Sequence, residues 1–250
     1  MKPKIALQLW SVKETCDQDF VGTLKKVKEM GYDGVEFAGY YGLAATELKA
    51  IMADLDLEIA GSHISYEQIA DNLDAVIAYE TTLGNQRIVC PFIGRATFAE
   101  WQACFAVLKA AEETLAAHDL ELIYHNHSHE FTEIPSKDIL AEMIQAVPNI
   151  KLEVDTYWVQ HAGLTVVEWL KEHRAAIALL HIKEMVVTAG EKESTEIGSG
   201  ILPIASYVEV AKELGLPWLV IEQEAFQKYT PIESAALNVK ALKKIVEEVF

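Results

Sequence analysis

Four residues in this sequence have side chains that chemistry could use and positions that repeat. His125, Asp155, His181 and Glu222 each close a short β-branched run. Two imidazoles and two carboxylates form a donor set for a divalent transition ion such as Mn, Co, Zn or Fe, with positions left open for a substrate. Mg suits a set with two imidazoles less well. Singly, each residue has a plainer reading. A strand histidine is commonly hydrogen bonded in the rim, Asp155 stands where it would cap a helix, and Glu222 would make a rim ion pair. Four ligand-type residues at four successive strand ends together point to a metal site. Strand ends also hold Gln8, Trp10, Glu36, Glu153, Lys183 and Glu224. Five of the eight histidines (His63, His125, His127, His129, His181) lie in or just beyond them.

The positioning elements follow from hydrophobic period. Strands are predicted at Lys4–Leu9, Gly34–Phe37, Glu58–His63, Arg87–Cys90, Glu121–His125, Lys151–Asp155, Ala178–Lys183 and Trp218–Glu222, each short and bounded by turn or cap residues. Amphipathic helical runs lie between them, one on Phe98, Trp101, Phe105, Leu108 and Leu115, the last on Leu237, Ala241, Leu242, Ile245 and Val249. Gly31, Gly84 and Gly215 stand where helices stop, Pro135 and Ser136 where the fifth begins, and Pro148 and Asn149 where the next strand approaches. Eight strand–helix units with nothing left over predict an α/β protein, a closed (β/α)8 barrel forming one domain over 1–250. No G-x-G-x-x-G follows the first strand and no G-x-x-x-x-G-K occurs, which removes the main support for a dinucleotide or P-loop fold. In a barrel of this kind the functional face is the rim at the C-terminal strand ends.

Composition narrows the partners. The 250 residues include 21 Lys+Arg and 38 Asp+Glu, a net charge of −17, with 51% hydrophobic residues. Such acidity argues against nucleic acid and against an anionic membrane surface. No apolar run is long enough to span a bilayer, and Met1 to Trp10 has no signal-peptide pattern. Cys16, Cys90 and Cys104 are too scattered for a disulfide framework or a cysteine zinc site. The expectation is a reduced, cytoplasmic protein with a small-molecule partner. Exposed aromatics such as Tyr40–Tyr41 would serve a homodimer or homotetramer interface.

The segments LQLWSVKE (7–14), GYDGVEF (31–37), GSHIS (61–65), YHNHSHEF (124–131), LEVDTYWVQHAG (152–163), LLHIKE (179–184), EIGSGILP (196–203) and VIEQE (220–224) resemble, in that order, the sugar phosphate isomerase/epimerase group of the xylose isomerase-like TIM barrel superfamily. The resemblance covers nearly the whole chain and names no substrate. It implies a metal held by Glu, Asp, His and Glu from four successive strands; Asp155, His181 and Glu222 match the last three. At the first position this chain reads His125-Asn126-His127 in place of Glu-Asn-His. Either His125 takes that place or Glu130 folds back to supply a carboxylate. Period-two alternation puts His125 and His127 on one face.

The resemblance implies a metal-polarised hydroxy-ketone or polyol that loses a proton next to its carbonyl. Glu222 is the candidate base, and His127 or Glu130 the opposite acid. Lys183 would hold a substrate oxygen or donate a proton; its alternative is an ion pair with Glu153 or Glu224. Trp10, Trp158, His63 and Glu36 would contact the sugar, the indoles by stacking on its C–H face. Glu196, in the Gly-containing loop 196–200, is either a lid residue or a solvated acid. No arginine lies near Gly198 and Gly200, which favours a non-phosphorylated substrate. The implied activity is isomerase or epimerase. Loss of one catalytic glutamate raises a lyase or dehydratase acting on a keto-sugar or inosose. A phosphodiesterase of the endonuclease IV type and a non-catalytic carbohydrate-binding barrel rank lower.

Overall fold

The computed structural model describes residues 2–250. Its strands are β1 (Lys4–Gln8), β2 (Gly34–Phe37), β3 (Glu58–His63), β4 (Arg87–Cys90), β5 (Glu121–His125), β6 (Lys151–Asp155), β7 (Ile177–Ile182), β8 (Glu184–Thr188), β9 (Glu191–Thr195) and β10 (Trp218–Ile221). The helices are α1 (Lys13–Gln18), α2 (Phe20–Met30), α3 (Ala45–Asp54), α4 (Tyr66–Asp71), α5 (Leu73–Leu83), α6 (Phe98–Ala116), α7 (His129–Thr132), α8 (Ile139–Ala146), α9 (Thr156–His161), α10 (Val166–Glu172), α11 (Ile204–Leu214) and α12 (Pro231–Val249). Eight strands close a barrel in the order β1-β10-β7-β6-β5-β4-β3-β2, and β8 and β9 form a separate hairpin. Every barrel pairing is parallel. The architecture is therefore the expected (β/α)8 barrel.

Helix ends follow local chemistry. Gly31 and Gly84 stop α2 and α5 at φ 97° and 93°, values that a Cβ would oppose. Thr97 with Glu100 and Thr230 with Glu233 form capping boxes at the starts of α6 and α12. The fifth crossover differs from expectation. The turn at Pro135 and Ser136 does not begin a helix; α7 lies before it, and α8 starts only after Asp138, which accepts a bond from Ala141 N–H at 3.0 Å.

The barrel floor is apolar. Ala6, Ala60, Val89, Ile123, Leu179, Trp218 and Val220 fill it. Gly34 is required there, because a Cβ would stand 2.8 Å from the Trp218 ring and 2.5 Å from the Glu58 carbonyl oxygen. Polar side chains begin one pleat higher, at Gln8, Glu36, Glu153 and His181, all fully buried. The interior therefore changes from hydrocarbon to ionisable groups toward the C-terminal strand ends.

The hairpin β8–β9 is a segment left over from the strict strand–helix alternation. Its turn, Ala189-Gly190, has φ of 54° and 93°, the signs of a type I′ turn. Beyond it, the loop 196–202 is tied down. The buried Glu184 carboxylate accepts from the N–H groups of Met185, Gly198 and Leu202 at 3.0, 3.2 and 2.9 Å.

Candidate active site

β5, β6, β7 and β10 are neighbours in the barrel, and Asp155 lies opposite His181 in register. This brings one donor atom each from His125, Asp155, His181 and Glu222 within 4.8 Å of one another, all four side chains being buried. Asp155 divides its carboxylate. Oδ1 caps α9, accepting from Tyr157 N–H at 2.8 Å and Trp158 N–H at 3.2 Å. Oδ2 faces His125 Nε2 at 3.6 Å, and neither of these two buried atoms has a hydrogen-bond partner. Buried polar atoms are rarely left so unless something else binds them.

Lys183 enters the same space. Its ammonium lies 2.8 Å from Glu222, 2.8 Å from Glu224 and 3.1 Å from Asp155 Oδ2. The Asp155 contact has the distance of an ion pair without hydrogen-bond geometry, so Oδ2 remains unpartnered as a hydrogen-bond acceptor. Burial pushes the Asp155 carboxyl up, but Lys183 and then His125 outweigh it and hold it at about 2. The same contest, with Lys183 and His181 winning over burial, keeps Glu222 well below the usual carboxylate range. Three carboxylates around one ammonium leave two negative charges, which a divalent cation would balance. The unpartnered donors and this charge fit such an ion, with His125, Asp155, His181 and Glu222 as its ligands.

A second group lies one pleat deeper. His63 Nε2 is 3.0 Å from Glu36 Oε2 and 3.1 Å from Glu153 Oε2. His181 Nε2 is 2.9 Å and 3.0 Å from the same two oxygens. His181 thus turns Nε2 inward and leaves Nδ1 3.3 Å from Glu222. Burial lowers the His63 imidazole, but Glu36 and Glu153 carry it up to about 9. His181 is held well above its usual value against burial, by Glu153 and then Glu36.

A cavity of about 500 Å3 opens above the tetrad, with Trp10, His63, Phe92, His125, His127 and Glu222 in its wall. Trp10 and Phe92 are the exposed apolar surfaces, at 47% and 52%. His127 lies between the Phe92 and Trp158 rings, at 5.6 and 5.4 Å between centroids. Burial, helped by His125 and Lys183, pushes its imidazole down to about 3, so it is neutral at pH 7.

Other sequence candidates lie elsewhere. Glu130 is not brought to the tetrad: it accepts from Tyr124 O–H at 2.8 Å and His127 N–H at 2.9 Å and approaches His129 at 3.2 Å. His125 therefore occupies the place for which Glu130 was the alternative. Glu36 is fully buried behind His63 and does not line the cavity. Glu196 is neither a lid residue nor solvated; it is buried and accepts from Gln223 at 3.0 Å and Ser234 at 2.6 Å. Lys183 pairs with Glu224 and not with Glu153. Tyr40 and Tyr41 are half-buried against their own chain, on Tyr79 at 4.2 Å and Phe20 at 4.5 Å between centroids. Sequence reasoning missed Phe92, although an aromatic residue just past the end of β4 was a usable signal.

The family model for the xylose isomerase-like TIM barrel matches residues 24–245. No curated protein matches the sequence. Among solved structures, a sugar phosphate isomerase/epimerase from Parabacteroides distasonis superposes with a TM-score of 0.83 at 21% identity, covering 97% of this chain and 94% of that one. The IOLI protein with a bound zinc atom gives 0.78 at 15% identity, with 99% of both chains covered. A probable 3-DHS dehydratase, AsbF of Bacillus anthracis, gives 0.74 at 16% identity, covering 96% and 98%. At such identities the likeness is one of fold.

Proposed function

The chain belongs to the xylose isomerase-like TIM barrel family, and from that premise we propose that it is a divalent-metal-dependent isomerase or epimerase acting on a keto-sugar or related polyol. The observation that carries this reading is the tetrad: His125, Asp155, His181 and Glu222 converge, two of their donor atoms are unpartnered, and a sugar-sized cavity lies above them. The zinc in the IOLI protein supports the choice of ion. When bound, a divalent ion supplies Lewis-acid charge at the carbonyl oxygen of the substrate.

The chain's own groups supply the rest. Glu222 lines the cavity as a carboxylate and takes the proton from the carbon next to that carbonyl. As the acid so formed, it returns the proton to the neighbouring carbon in an isomerisation, whereas water at the open side of the cavity reprotonates the opposite face in an epimerisation. The basicity of Glu222 rises as substrate expels water from the pocket. Neutral His127 donates a hydrogen bond to a substrate oxygen rather than a proton. Lys183 positions Glu222 and Asp155 by charge, while it donates a hydrogen bond to Glu224. Trp10 and Phe92 provide apolar surface for the C–H face of a sugar. The cavity wall carries no Arg or Lys, which favours a substrate without phosphate.

Elimination is the second reading. The two acids of the cavity wall, Glu222 and Glu224, come from one strand end, and His125 and His127 stand elsewhere in the wall. One-sided base placement suits a single proton abstraction by Glu222, which then hands that proton to the departing β-hydroxyl so that it leaves as water. Zinc- or manganese-loaded protein in deuterated water, given a panel of keto-sugars and inososes, tests both readings. Deuterium at the carbon next to the carbonyl with an epimer or isomer supports the first, and a new enone absorbance the second. Exchange that persists undiminished in Glu222→Gln would overturn the assigned base.

A further inference from the structure

We propose that the buried quartet Glu36, His63, Glu153 and His181 is a second divalent-metal site, sharing His181 with the tetrad. The inference goes beyond the proposed reaction and does not depend on it. The four facing atoms, two imidazole Nε2 and two carboxylate Oε2, alternate around a ring with edges of 2.9, 3.0, 3.0 and 3.1 Å. These edges are a little shorter than the roughly 3.3 Å that separates the ligand atoms of a tetrahedral zinc with bonds of about 2.0 Å, so a small outward movement of the four side chains would admit the ion.

Hydrogen bonding alone accounts poorly for the ring. Each Nε2 carries at most one proton, so two protons face four N···O contacts. Two of those contacts have hydrogen-bond geometry, His63 to Glu153 and His181 to Glu36. The other two bring nitrogen and oxygen to 3.0 Å without it. Gln8 adds a further donor to Glu36 Oε2 at 2.5 Å. Meanwhile Oε1 of both Glu36 and Glu153 is buried without a partner, although the side chains are fully enclosed. Both carboxylates thus crowd one oxygen into the ring and leave the other unserved.

The surroundings suit a cation. Two carboxylates with two neutral imidazoles carry two negative charges, which a divalent ion would balance. Gly61 keeps the space open: a Cβ there would stand 3.2 Å from Glu36 Oε1. His63 lines the cavity and so gives the ring a path from solvent. With both sites filled, His181 would bind through Nδ1 and Nε2 and give up its last ring proton. Two imidazoles and two carboxylates select a first-row transition ion over magnesium or calcium.

Zinc counting tests this on the full chain, stripped with a chelator, reloaded with zinc, desalted and subjected to elemental analysis. Wild type is expected to hold about two zinc ions per chain. Glu153→Gln and Asp155→Asn are each expected to hold about one, and the double variant none. Circular dichroism melts establish that each variant folds; if Glu153→Gln does not, His63→Gln replaces it. A single zinc that Asp155→Asn loses and Glu153→Gln keeps overturns the second site and leaves the proposed function standing. A single zinc with the opposite dependence supports the quartet and removes the ligand set on which the proposed function relies. Wild type without zinc overturns both.

Discussion

Asp155 carries two roles on two oxygens, and they can be separated. Oδ1 caps α9, while Oδ2 faces His125 and Lys183. Asparagine caps nearly as well as aspartate. Asp155→Asn is therefore expected to lose zinc and the contact with Lys183 while keeping the cap, and Asp155→Ala to lose the cap as well, about 1 kcal/mol more. Urea melts of the chelated proteins beside zinc counts check this; equal stability of the two variants would remove the cap from the account. Glu222→Gln is expected to slow deuterium exchange about 10²- to 10⁴-fold, the usual share of a general base. The tetrad was legible because each member ends a short apolar run, and a strand end in a barrel is already an address. Where Glu130 and Glu196 point was not legible. Each has a carboxylate whose direction is decided by donors distant in sequence or on other elements: Tyr124 for the first, Ser234 and Gln223 for the second.

The same limit applies to β8–β9 and the loop that follows. EKEST, the sequence of β9, is polar throughout, so no alternation marks it as a strand, and its pairing partner gives it order. The Glu184 carboxylate holds the loop 196–202 together with Asn238, which accepts from Ile197 N–H, and the Met185 carbonyl, which accepts from Ile201 N–H. Glu184→Ala would leave the N–H groups of Met185, Gly198 and Leu202 without their acceptor, at about 1 kcal/mol each. A loss of about 3 kcal/mol is expected, with faster amide exchange at Gly198 and Leu202. Unchanged exchange there would show that the loop is held otherwise. A second buried acid, Glu80 on α5, joins that helix to the segment after β2, to β3 and to the turn before β4 through Tyr40, Ser62 and Asn85. Burial raises its pKa despite these donors. Its native form therefore binds a proton more tightly than its unfolded form. The resulting stability is complete below the ordinary carboxylate pKa and is lost as pH rises through the raised one. Glu80→Gln should thus gain on wild type in urea melts as pH rises above the ordinary carboxylate range. A gap that narrows with rising pH would contradict the sign.

An acidic chain that gathers carboxylates at one end of its barrel should have a stability linked to cations. The net charge is −17, and above the apolar floor the interior holds Glu36, Glu153, Asp155 and Glu222 with Lys183 as the buried ammonium among them. Binding to the native state alone stabilises by about 2.7 kcal/mol when free ion reaches a hundredfold of its dissociation constant. For a chain of this length that shifts the melting temperature by about 5–10 °C, and filling a second site of equal affinity roughly doubles the shift. Melting temperatures of chelated protein across a zinc series are expected to rise and to keep rising with concentration, since mass action has no plateau when only the native state binds. Sodium chloride at matched ionic strength separates this from screening of the surface charge, which acts on exposed acids and much less on buried ones. Asp155→Asn should retain a smaller zinc response through the quartet, and the Asp155→Asn, Glu153→Gln double variant should show none beyond that of salt. A melting temperature indifferent to zinc in wild type would mean that neither cluster binds a cation in the folded protein, and that the buried acids are balanced by Lys183 and protonated imidazoles alone.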